Sequence, residues 1–167
     1  METVTKRRAA ERVRRLATEG LRPLGFIPGK TSFWARQQTH VIEFLHVHLF
    51  TFAPAFRAHA GIRVLNDTFG AAALNGPSSD DYRSVAGSAY RLEFADSKVS
   101  AEACASEIAR FCSDVAEPWF ERFREPHALL TAESPLTDDA RSRLERSLRG
   151  LTDVQAARLS KGLLGVT

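Results

Sequence analysis

The stretch from Val41 to Val64 reads VIEFLHVHLF, then TFAPA, then FRAHAGIRV. Its alternating β-branched and aromatic residues predict two neighbouring strands of a half-buried sheet. The pairing register decides which face becomes core, because a slip of one residue carries every side chain across the sheet. A link centred on Ala53 sets Phe50 against Phe56, Phe44 against Ile62 and Ile42 against Val64. Glu43 then meets Arg63, an opposite-charge pair of the kind that favours a register. This pairing is preferred, and it puts His46 and His48 opposite Ala60 and Ala58, where small residues facing polar ones leave a hollow. The competing register sets His46 against His59 and His48 against Arg57 on a solvated basic face, with Leu45, Val47 and Leu49 as core.

Upstream, Glu2 to Leu24 reads as a helix, with Ala9, Ala10, Val13, Leu16, Ala17, Leu21 and Leu24 at three- and four-residue steps. Arginines fill much of the remaining surface, so Arg7, Arg8, Arg12 and Arg15 are candidate contacts to a nucleic-acid backbone. Glu2, Glu11 and Glu19 are mixed among them, and no aromatic side chain offers a stacking platform for bases. Gly25 can end this helix, Pro28 and Gly29 mark a turn, and Phe33 and Trp34 open a strand. The run LRPLGF, a turn, SFWAR, then VIEF and a strand ending in AGIRV resembles the start of the uncharacterised bacterial family catalogued as domain of unknown function 4304. The resemblance covers Leu21 to Val64. It implies a fold, a helix followed by an antiparallel sheet, and carries over no catalytic residue.

Downstream, residues 66–88 form a long connection rich in Gly, Ala, Ser and Asp, with a turn at Asn75–Gly76–Pro77 and two carboxylates at Asp80 and Asp81. Long connections of this kind carry function or are mobile. Tyr90–Phe94, YRLEF, alternates as a fourth strand. Ser100 is placed to cap a helix to about Ala116, and Pro118 to start a short helical piece holding Trp119, Phe120 and Phe123. That aromatic cluster is either a lid on the core or a contact surface. Two more helices are expected, Thr137–Arg149 closed by Gly150, and Thr152 to Leu164 with Thr152 and Gln155 at capping-box spacing. Leu144, Leu148, Leu151, Val154 and Leu159 give this tail a thin apolar seam that can fold back or meet a partner.

A chain of 167 residues, 44% hydrophobic, can bury one real core, and its net charge of +3 permits contact with anionic partners without requiring it. Cys104 and Cys112 match neither a zinc knuckle nor a CxxC redox pair, and their helical spacing marks them as core residues. The charged N-terminus lacks a secretory apolar region and no run nears the ~20 apolar residues of a membrane span, so the cytoplasm is the expected location. Local signatures of serine hydrolases, dinucleotide enzymes, phosphate-loop enzymes and zinc peptidases are missing. His46 and His48, two apart, point the same way from a strand, a spacing from which metals or polar ligands are bound.

These readings give an α+β fold: an N-terminal helix, an antiparallel sheet of about four strands, helices covering one face, and a helical C-terminal tail. Residues 1–130 form the domain, and 131–167 a tail packed on it or on a partner. The expected function is a non-enzymatic bacterial protein-interaction module of the immunity or antidote type, with Trp119, Phe120, Phe123, Leu148 and Leu151 as partner contacts and no cofactor. The alternatives are nucleic-acid binding through Arg7, Arg8, Arg12 and Arg15, and a small-molecule or metal site at His46, His48, Ala58 and Ala60.

Overall fold

The computed structural model describes residues 3–81, 87 and 89–167. The chain is α+β: α1 (Thr3–Leu21), β1 (Ile27–Pro28), β2 (Phe33–Gln37), β3 (Val41–Leu49), β4 (Phe56–Val64), α2 (Lys98–Phe111), α3 (Glu117–Arg122), α4 (Asp138–Leu148) and α5 (Val154–Leu164). The strands form one antiparallel meander in the order β1-β2-β3-β4. Its fourth member is therefore the short Ile27–Pro28 and not Tyr90–Phe94. The YRLEF segment does alternate in burial, with Tyr90, Leu92 and Phe94 inside. It only brushes the hairpin end, however, through an isolated Ala55–Glu93 bridge and the bonds Phe56 N–H to Leu92 O (3.0 Å) and Phe94 N–H to Pro54 O (2.8 Å).

The β3–β4 hairpin takes the competing register: Leu45 faces Ala60, His46 faces His59 and His48 faces Arg57. The preferred pairing is thus wrong by one residue, and the two charges that favoured it explain why. Glu43 finds its cation on β2, where Arg36 Nε lies 2.7 Å from Glu43 Oε2. The same guanidinium donates to Leu24 O (2.5 Å), sits 2.9 Å from Glu117 Oε1 and stacks over the Phe26 ring at 4.5 Å. Burial disfavours the Arg36 charge, but the carboxylates of Glu43 and Glu117 more than offset this, so its pKa is raised. Arg63 points to the other side of the sheet. There it donates to Ser160 Oγ (2.8 Å) and to the carbonyls of Asp67 (3.0 Å), Phe69 (2.7 Å) and Ala71 (2.7 Å), organising the loop after β4.

The front face of the sheet carries the main core, with Trp34, Leu45, Val47, Phe56, Ala58, Ala60, Ile62 and Val64 packed against α1 and α2. Ala9, Ala10, Val13 and Ala17 keep α1 close to its neighbours, and a Cβ on Gly20 would stand only 3.0 Å from that of Ala109. Ser97, not Ser100, caps α2 by accepting from Ser100 N–H. No break separates α2 from α3. A π-helical turn at Cys112–Ala116 joins them, with Glu117 N–H bonded to Cys112 O. Pro118 cannot donate to Asp114 O, and the wider turn absorbs that missing bond.

On the run α2–α3, Phe120 is fully buried and Phe123 is 6% exposed, so neither presents a surface to a partner. Phe120 stacks between Phe26 and Trp119 at ring distances of 5.9 and 5.2 Å. Trp119 is half-buried and packs over Gly76, where an added Cβ would lie 2.7 Å from the indole. The aromatic cluster is therefore a lid on the core. Thr137 caps α4 and Asp153, one residue beyond the expected Thr152, caps α5. Ala140 and Leu144 of α4 enter the main core, with Leu148 half-buried against it, while Leu151 stays 54% exposed.

The reverse face is only partly covered. Leu164 of α5 closes a second, smaller core over Ala35, Ile42 and Phe44. The outer edge of β4 is occupied by the 75–79 segment. Asn75 imitates a peptide group, accepting from Ile62 N–H and donating to Ile62 O, each at 2.9 Å. Ala60 N–H then donates to Pro77 O (3.0 Å) and Ser79 N–H to Ala58 O (2.8 Å), so little edge is left to pair with another chain. Residues 82–86 and 88 of this connection lie outside the described residues.

Candidate functional site

The uncovered half of the reverse face lies toward the hairpin link, beyond the reach of α5. Strand alternation puts Phe33, His46, His48, Arg57 and His59 there. The ladder aligns Phe33, His46, His59 and Ser78 in one row across β2, β3, β4 and the 75–79 segment. Phe33 stacks on His46 with centroids 4.5 Å apart, and His48 meets Phe50 edge-on at 5.8 Å. Arg57 lies over the Phe50 ring at 5.1 Å, and its Nε is 2.5 Å from Asp80 Oδ2.

His46 and His59 each turn a buried Nδ1 inward with no hydrogen-bond partner. An orphaned buried N–H is costlier than an orphaned lone pair, so the neutral rings carry their protons on Nε2, facing outward as donors. Burial pushes the His46 pKa down from 6.5 to about 4, helped by His59, His48 and Arg14. Burial lowers His59 as well, with Arg57 adding to the shift and Asp80 and Asp81 opposing it. The row is therefore neutral at physiological pH.

This sets a pH dependence. Between about 4 and 6.5 the unfolded chain binds a proton at residue 46 that the folded chain refuses. Stability is thus full above this window and is lost as pH falls through it. The urea midpoint of the wild type is expected to drop between about pH 7 and about pH 5, and that of His46→Gln to drop less. Equal drops would remove His46 from the account.

Of the predicted pocket, His46 and His48 share this face, but Ala58 and Ala60 belong to the front core and lie on the opposite side of the sheet. The hollow is corrected to a flat row, and His59 and Arg57 take the places assigned to the alanines. Ligation of a metal through Nε2 would leave a protonated Nδ1 buried without an acceptor, the reverse of the usual arrangement in which the second nitrogen is held by a partner. Among the described residues no three His, Cys, Asp or Glu side chains are grouped to hold a metal ion. His40, the other histidine near the hairpin, sits at the β2–β3 turn with Nδ1 2.9 Å from Ser147 Oγ and ties α4 to the sheet.

On α1, Arg7, Arg8 and Arg15 are exposed, while Arg12 is half-buried with Nη1 3.7 Å from Asp96 Oδ1. Arg8, Arg12 and Arg15 fall on one stripe, which also carries Glu11 and Glu19. Cys104 and Cys112 are buried, and burial pushes the Cys104 thiol up to about 12 and Cys112 higher still, so neither is a nucleophile in this fold. No described helix is long and apolar enough to cross a membrane. No family model, curated protein or solved structure matches the chain, and the likeness drawn from Leu21–Val64 stands on those residues alone.

Proposed function

We propose that the protein is a non-enzymatic binding module that holds a protein partner against the row Phe33–His46–His59 and the flanking His48, Phe50 and Arg57. The observation that carries this reading is the pair of facing imidazoles with unpartnered Nδ1 atoms. Their burial costs stability at acid pH and satisfies no internal hydrogen bond, while it points two Nε2 donors out of an uncovered sheet face. No described carboxylate or hydroxyl holds either Nδ1, as a general base would need to fix its tautomer. A flat layer of rings with an arginine has the composition of an interface anchor, and Phe52, 100% exposed in the β3–β4 link beside it, extends the apolar part. An immunity or antidote protein, which works by covering its target, would use such a face.

The test compares capture from the host's nuclease-treated lysate by wild type, His46→Ala/His59→Ala and Phe52→Ser, washed at low and high salt. Wild type is expected to retain one protein in stoichiometric amount at both salts, and each variant to lose it by tenfold or more. Near-ultraviolet circular dichroism checks that the variants fold. Equal retention by all three would overturn the reading.

A further inference from the structure

We propose that the crevice between α1 and the turn preceding β2, which borders the ring row at Phe33, is a second binding site, for the phosphate group of a small molecule held by Arg14, Arg15 and Lys30. The crevice has a volume of about 330 Å³ and is lined by these three cations, by Glu11, and by Thr18 and Ser32 among others. Glu11 is its one carboxylate, and its contact with Arg14 is long at 3.4 Å. Arg15 and Lys30 have no acidic partner among the described residues, so the crevice carries a net positive charge.

Arg14 is the centre of the argument. Its side chain is 16% exposed, its guanidinium lies over the Phe56 ring at 5.4 Å, and its Nε is buried without a hydrogen-bond partner. A largely buried guanidinium with only one long acidic contact is under-compensated, and an oxyanion in the crevice would pair its charge through the terminal nitrogens. Thr18 cannot do so. Its hydroxyl already donates to Arg14 O (3.0 Å) and accepts from Trp34 Nε1 (2.9 Å).

The opposite wall is a rigid turn. Phe33 N–H donates to Lys30 O (2.8 Å), Gly29 N–H to Phe33 O (2.9 Å), Val47 N–H to Ser32 O (2.9 Å) and Lys30 N–H to Leu164 O (3.0 Å). Ser32 holds φ at 79°, the one positive value at a non-glycine among the described residues. Backbone strain of this kind persists where the surroundings impose it, and it gathers at binding sites. The turn's Thr31 and Ser32 N–H groups donate to no described residue. Arg14 and Arg15 on the α1 wall and Lys30 on the turn wall converge on one enclosed space, which suits a compact, multiply charged oxyanion better than the open surface around Arg8 and Arg12 does.

Titration calorimetry with inorganic phosphate, pyrophosphate and a nucleoside monophosphate tests the site and separates free phosphate from a phosphorylated metabolite. At least one of the three is expected to bind at sub-millimolar concentration. Arg14→Gln and the surface variant Arg15→Gln/Lys30→Gln should each weaken it by tenfold or more. Arg7→Gln/Arg8→Gln and His46→Ala/His59→Ala should leave it within twofold, the latter separating this site from the ring row. No binding of any probe would overturn the proposal. So would an equal loss in the Arg7/Arg8 variant, since that outcome means diffuse charge on α1 and not a crevice.

Discussion

Arg36→Met is expected to cost about 3–5 kcal/mol of folding stability, the range found when one partner of a buried ion pair is removed. Glu43 is 2% exposed and would keep only Gln38 Nε2, at 3.2 Å, as a side-chain partner. The methionine stem fills much of the arginine's space between Phe26 and Phe120, so lost packing is a minor part of the effect. Leu24 O loses its donor and Glu117 its charge partner as well, which loosens the joint between the end of α1, the sheet and α3. For a chain of this length the melting temperature should fall by roughly 10 °C. Arg36→Met/Glu43→Leu removes both charges and should recover most of the loss, because the penalty lies in the orphaned carboxylate. Chemical denaturation of the two variants decides the matter. A single variant within 1 kcal/mol of wild type, or a double variant no better than the single, would show that Glu43 does not depend on Arg36.

That ion cluster also marks where the sequence stopped being legible. Layer order was readable because long periodic segments have one way to bury their apolar sides, and α1, the hairpin and the tail helices lie where periodicity places them. Register was not. β3 is covered on its front by helices and at one end of its back by α5, so Ile42 and Phe44 are as buried as Leu45 and Val47, and hydrophobic alternation carries no vote. A local charge match between Glu43 and Arg63 then looked decisive, though each residue takes its partner from elsewhere: Glu43 from β2, Arg63 from the loop after β4 and from Ser160. The two-residue β1, half of it proline, and the π-turn ahead of Pro118 have no pattern long enough to read. At the candidate site, His46 and His48 were visible as a same-side pair, whereas His59 and Arg57 depended on the register. Arg14 and Lys30 face each other across a crevice that only the packing of α1 on the turn creates, so no spacing rule joins them.

Gly165→Ala is expected to undock α5 from the sheet and to cost about 3–5 kcal/mol. Gly165 ends α5 at φ 72°, a left-handed conformation that costs any L-residue about 1–2 kcal/mol. Strain is only part of the effect. A Cβ there would stand 2.7 Å from Gly29 C and closer still to Lys30 N, and a Cβ on Gly29 would in turn strike Leu164. The two glycines meet backbone to backbone, and neither side can yield without breaking the bond from Lys30 N–H to Leu164 O, worth about 1 kcal/mol. Backing away also lifts Leu164, fully buried over Ala35, Ile42 and Phe44, whose exposure forfeits about 1.5–3 kcal/mol. Ser160, which accepts from Arg63 in the next layer of the same contact, would follow. Gly150 supplies the control. It has φ 79°, and an added Cβ there meets nothing within 4 Å, so Gly150→Ala carries the strain without the collision. The Gly165 variant should therefore lose at least twice as much stability as the Gly150 variant, and its α5 amides should exchange with solvent while those of β3 and β4 remain protected. Equal losses, or unchanged protection of α5, would mean that the glycine contact does not hold the tail. In that case the boundary between the covered and uncovered halves of the reverse face, on which the exposure of the imidazole row depends, would need a different cause.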